Sequence, residues 1–183
     1  MNVMPHPAYK LMVPAQAVGA NLIYFDLFNP TTSALDIFVY SVLPIVSGAT
    51  AVTGVVAVDL NLNRTTAVGT GGTAATYNGT SFTAATISAV NGDNVSVRDQ
   101  GVTARLTPTG GATAGAWLGY ASVYTEETNA GTYVSMLNDL ARHNMDDSPP
   151  ILVKQGTGIS VVQGSVASVG NIGFEVAFYT VRK

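Results

Sequence analysis

From Ile172 to Val181, the residues Ile172, Phe174, Val176, Phe178 and Thr180 alternate with Gly173, Glu175, Ala177, Tyr179 and Val181. Successive side chains of an extended strand point to opposite faces, so this period of two puts one face of a β-strand in a core. The same pattern recurs upstream. "NLIYFDLFN", from Asn21 to Asn29, is aromatic and apolar and ends at the Asn29-Pro30 turn. In "ALDIFVYSVLP", Leu35, Ile37 and Val39 oppose Asp36, Phe38 and Tyr40. The short "NPTTS" connection predicts that these two strands are antiparallel neighbours. "GVVAVDLNLNRTT" sets Val56, Val58, Leu60 and Leu62 against Ala57, Asp59, Asn61 and Asn63, the signature of a half-solvated strand.

"AWLGYASVYTEE" reads as a further strand. Simple alternation puts Trp117, Gly119, Ala121 and Val123 on one face, which assigns the lone tryptophan to the core. Shorter strands are expected near residues 83–90, 95–98 and 102–106, and a long Gly/Thr loop over 67–81. Gly156 and Gly158 read as turn residues of a hairpin leading to the last strand. One segment departs from the β pattern: in "TYVSMLNDLARHN", Tyr133, Met136, Leu137 and Leu140 share a helical face, with Thr132 as a cap. The expected fold is all-β: an antiparallel β-sandwich or jelly roll with one short helix.

Residues 1–19 are expected to form an extended N-terminal arm, ahead of a single β-sandwich domain over 20–183. Pro5, Pro7 and Pro14 forbid regular helix there. Met4, Tyr9, Leu11, Met12 and Val13 are nevertheless apolar and need cover. Either the arm packs along its own domain or it docks on a neighbouring subunit.

Charge narrows the function classes. Asp, Glu, Lys and Arg make up 10% of the residues, against roughly 25% in ordinary soluble domains. A net charge of -3 with no basic run argues against nucleic-acid binding, which needs a clustered cationic face. Cysteine is absent, which excludes disulfides and thiolate metal sites. The proline-broken N-terminus does not read as a signal peptide, and no apolar run is long enough to span a bilayer as a helix. No membrane partner is expected.

The candidate chemistry is sparse. His143, Asp146 and Asp147 could ligate a divalent ion or supply a base, but a metal site needs more converging ligands, and the spacing equally suits a helix stop. Glu126 and Glu127 are adjacent on a strand and point to opposite faces, so they cannot flank one glycosidic bond. "GTGIS" and "GTGGT" lack the further residues of dinucleotide and phosphate loops. Carbohydrate stacking on Trp117, Tyr120 and Tyr124 conflicts with a core position for Trp117. No enzyme activity and no cofactor are expected.

The order of "NLIYFDLFNPTTSALDIFVYSV", "VVAVDLNLNRTTAVGTGG" and "PPILVKQGTGISVVQGSVASVGNIGFEVAFY" resembles small β-sandwich structural proteins of tailed bacteriophages. The matching pieces are Arg64-Thr65 before a Gly/Thr loop at Gly69 to Thr73, and the turn from Pro150 to Ile159 before a last apolar strand. The likeness leaves Tyr77 to Asn129 uncovered. It implies a capsid decoration (cement) protein, a dimer or trimer in the virion, bound to the major capsid protein and without catalytic residues. Met4, Tyr9, Leu11, Met12 and Val13 would then be the partner-binding clamp. The alternative is a receptor- or glycan-binding module of a tail or fibre, for which Tyr77, Phe82 and Tyr133 are the expected exposed aromatics. An enzyme built on His143, Asp146 and Asp147 is the remaining reading.

Overall fold

A computed structural model describes residues 8–47, 55–80, 83–90, 95, 101–109, 114–126, 140–142 and 149–183. Its strands are, in chain order, β1 (Ala8–Ala17), β2 (Ile23–Asn29), β3 (Leu35–Ser47), β4 (Val55–Thr65), β5 (Thr73–Ala74), β6 (Thr76–Tyr77) and β7 (Thr86–Ala89). They continue with β8 (Thr103–Leu106), β9 (Ala114–Glu126), β10 (Ala141–Arg142), β11 (Ile151–Val153), β12 (Thr157–Gln163) and β13 (Asn171–Arg182). The first sheet runs β10-β3-β13-β1-β7-β6, with β11 also on β3, and the second runs β5-β8-β2-β12-β4-β9. All pairings are antiparallel except β6 with β7. The chain is a β-sandwich.

The core lies between the two sheets. From the first come Tyr9, Leu11 and Val13 of β1, Ile37, Val39 and Val42 of β3, and the even-numbered residues from Ile172 to Phe178 of β13. Facing them are Phe25 and Leu27 of β2, Leu60 and Leu62 of β4, and Ile159 and Val161 of β12. Phe174 sits at the centre, its ring 5.1 Å from Tyr24 and 5.4 Å from Phe25. Burying each such side chain contributes about 1.5–3 kcal/mol relative to exposure.

The described part of the arm belongs to this core. β1 lies between β13 and β7, in register from Ala8↔Tyr179 to Ala17↔Asn171. Pro14 sits where that register shifts, between Val13 and Gln16. An irregularity is where a strand tolerates a residue without an N–H. Tyr9, Leu11 and Val13 are thus occupied within their own sandwich, and of the described apolar residues expected to form the clamp only Met12 is exposed. Met4 lies outside the described residues.

Three local expectations change. The strands either side of "NPTTS" are not neighbours: β2 and β3 belong to different sheets. The reason is Asn29, whose buried amide donates to Leu35 O (2.8 Å) and Val153 O (3.1 Å), tying the end of one sheet to the other. Gly156 does turn the chain with φ 72°, but the turn joins β11 of one sheet to β12 of the other, and Gly158 lies within β12. The expected helix falls mostly outside the described residues, and its described end, Ala141–Arg142, is strand paired with Val42 and Ser41 of β3.

The Gly/Thr loop is pinned rather than loose. It crosses between the sheets at Ala75, whose N–H donates to Ala104 O (2.8 Å), while Thr76 N–H donates to Ala85 O (3.0 Å). Gly72 has φ 61°, and a Cβ there would lie 2.2 Å from Leu106 O, so only glycine fits.

Candidate functional site

The outer face of the second sheet holds the most distinctive surface of the described chain. On β4, Leu60 and Leu62 face the core, so Asp59, Asn61 and Asn63 face outwards. β9 pairs with β4 and sets Ser122 opposite Asp59, Tyr120 opposite Asn61 and Trp117 opposite Asn63. Directly opposed side chains lie side by side on one face. Trp117, Tyr120 and Tyr124 are 66%, 52% and 38% exposed.

A bulge produces this arrangement. The register steps from Leu62↔Gly119 to Asn63↔Trp117, so β9 advances two residues while β4 advances one. The extra residue, Leu118, reverses the alternation beyond it and turns Trp117 from the core to the outer face. The core position expected for Trp117 is therefore corrected: simple alternation fails at the one place where β9 is irregular. Sequence reasoning had found the polar residues of β4 and weighed the three aromatics, but it lacked the bulge that unites them.

The polar groups here are organised. Tyr120 Oη–H donates to Asp59 Oδ1 (2.7 Å), and Ser122 Oγ–H donates to the same oxygen (2.5 Å). Those two donors, Ser122 first, hold the Asp59 carboxyl below the usual carboxylate range, so it is ionised at neutral pH. Tyr120 is thereby fixed, and its ring meets that of Trp117 edge to face at 6.0 Å and 81°. Among the described residues no basic side chain joins the cluster: Arg64 of β4 donates instead to Leu152 O (2.7 Å).

One side of this face is walled by the Gly/Thr loop, which lies over β2. Gly69 N–H donates to Asp26 Oδ2 there, and Asp26 is fully buried. Burial pushes the Asp26 carboxyl above its ordinary range, against smaller opposing effects from the Gly69 and Arg105 N–H groups and the Arg105 charge. Asp26 Oδ1 has no hydrogen-bond partner. On the far side of the loop a cavity of about 550 Å³ is lined by Phe28, Val68, Tyr77, Val102 and Arg105, among others. Its cation is already engaged, since Arg105 donates to Gly71 O (2.9 Å).

The other sequence candidates fall elsewhere. Tyr77 is half-buried, donates its hydroxyl to Val102 O, and has its phenol pushed up to about 12 by burial, so it is no exposed loop aromatic. Phe82, Tyr133, Glu127, His143, Asp146 and Asp147 lie outside the described residues. Glu126 ends β9 opposite Val55. Among the described residues, no three His, Asp or Glu side chains converge as metal ligands would. No helix among them is long and apolar enough to cross a membrane.

No protein-family model, no curated protein and no solved structure matches this chain.

Proposed function

We propose that this chain is a non-enzymatic virion structural protein of the capsid decoration type, which binds the major capsid protein lattice as a dimer or trimer. The observation behind this reading is the outer face of the first sheet. Residues opposed to the outward Gly173, Glu175 and Tyr179 share their side, which brings Met12, Phe38, Leu43 and Ile45 onto one surface. Tyr179 stacks on Phe38 at 5.0 Å and neighbours Tyr40 at 6.5 Å. Met12 and Ile45 are 37% and 39% exposed. The Lys10–Glu175 ion pair (2.7 Å) lies within this largely apolar area.

A sheet face of that composition is poorly suited to water, and covering it contributes about 25 cal/mol per Å² of apolar surface. Association costs offset much of this for one copy, but many copies on a lattice add their contributions. The contact surface is therefore this sheet face, in place of the arm residues Tyr9, Leu11 and Val13, which are buried.

Light scattering of the purified protein should give a discrete dimer or trimer, and the protein should co-sediment saturably with empty capsids of the phage that encodes it. Ile45→Lys and Met12→Lys should each weaken that binding at least tenfold with the far-UV circular dichroism unchanged. Folded wild-type protein that leaves the capsids bare would overturn the proposal. The alternative, a receptor- or glycan-binding module of a tail or fibre, rests on the aromatic cluster of the other sheet.

A further inference from the structure

We infer that the outer face of β4 and β9 is a carbohydrate-binding site, with Trp117 and Tyr120 as stacking rings and Asp59, Asn61 and Asn63 as hydroxyl partners. The inference stands on this face alone and holds whether the chain is mounted on a head or a tail.

A pyranose ring offers an apolar C–H face and a rim of hydroxyls that both donate and accept. The site needs a ring for the first and mixed donors and acceptors for the second. Trp117 and Tyr120 supply aromatic surface standing in water, their rings held at 81° as two walls of a corner. Asn61 and Asn63, opposite Tyr120 and Trp117, each offer an amide donor and a carbonyl acceptor. Asp59 Oδ1 is occupied by Tyr120 and Ser122, which leaves Oδ2 to accept from a ligand hydroxyl. Residues four apart on a strand lie about 13.6 Å apart on the same face, so Tyr124 carries the aromatic surface along β9 beyond Tyr120, as an extended chain of sugars would need.

Charge and layout exclude the nearest rivals. A nucleic acid also stacks bases on aromatics but needs cations for its phosphates. Here the charged group is the anionic Asp59, and Arg64 is turned away to Leu152 O. A protein interface gathers its apolar groups centrally and puts polar ones at the rim. On this face the amides and the carboxylate are interleaved with the rings. The bulge at Leu118 is a second, independent indication: it takes the chain's one tryptophan out of the core, and such bulges recur where a side chain is re-aimed for function.

The test uses the full chain and four probes: hydroxyethyl cellulose, glycogen, galactomannan and a neutral bacterial O-chain polysaccharide. Native gels cast with each should retard the protein in at least one. Because Trp117 is the only tryptophan, its emission reports on the site directly and should shift to the blue and saturate on titration with the same probe. Trp117→Ala should abolish retardation, and Asn61→Ala and Asn63→Ala should each weaken binding at least threefold. Ile45→Lys, on the other sheet, should bind as wild type, which separates this site from the capsid-binding proposal. No retardation by any probe, or retardation unchanged in Trp117→Ala, overturns the inference. Loss of capsid binding in Trp117→Ala without any polysaccharide binding would reassign the face to a protein contact.

Discussion

Asp26 is an acid placed where an acid is costly. It sits mid-strand in β2, fully buried, with one oxygen accepting from Gly69 N–H and the other without a partner. Burial raises its folded pKa above the unfolded value, so the folded state holds the proton more tightly. The stability this supplies is complete below the ordinary carboxylate range and is lost as pH rises through the folded pKa. Asp26→Asn should therefore raise the midpoint of thermal unfolding at neutral pH and remove this group's part of its pH dependence above the ordinary carboxylate range. A lowered midpoint with an unaltered pH profile would mean that the carboxylate is needed to hold the loop. None of this was legible in "NLIYFDLFN", whose aromatic and apolar run announces a strand but not the burial of Asp26. The loop that buries it comes from residues some forty positions later, and no local pattern announces such cover.

Strand β1 shows how an element can be read correctly in kind while its place is left open between its own domain and a neighbour. Its extended form and apolar side chains were legible, and so was the final strand with which it pairs. Pro14 made it look like an arm, because the irregularity that accommodates a proline is invisible without the partner strand. Deleting residues 1–14 removes most of an interior strand and should leave a chain without a cooperative unfolding transition. Leu11→Ala, milder, should cost about 2–5 kcal/mol in urea unfolding, as expected for a fully buried leucine. A truncated chain that still unfolds cooperatively would show that β1 is dispensable. Trp117 was lost to the same blindness: one extra residue in β9 changed the face of everything before it.

At the scale of the molecule, the scarcity of charge was the most telling number in the sequence, and it extends to the fold. The ion pairs Lys10–Glu175 and Lys183–Asp36 are both partly exposed, and such pairs are worth about 0–1 kcal/mol each. Cohesion comes from the apolar layer between the sheets, which salt does not screen. Raising sodium chloride from about 0.05 M to about 1 M should move the unfolding midpoint by no more than about 4 °C. A larger fall would point to electrostatic cohesion instead. The sandwich class was legible because alternation survives along most strands; which strands share a sheet was not, because Asn29 and its carbonyl partners decide it across the core.

The position of β13 also sets the order in which the molecule can be made. It lies between β1 and β3, both of which the ribosome delivers more than a hundred residues earlier. Until Asn171–Arg182 emerges, those two strands each present an unfilled edge towards the gap it will occupy. The first sheet can therefore be completed only after Asn171–Arg182 has left the ribosome. Until then the emerging chain holds two half-sheets whose open edges need shielding from those of neighbouring copies on the same messenger.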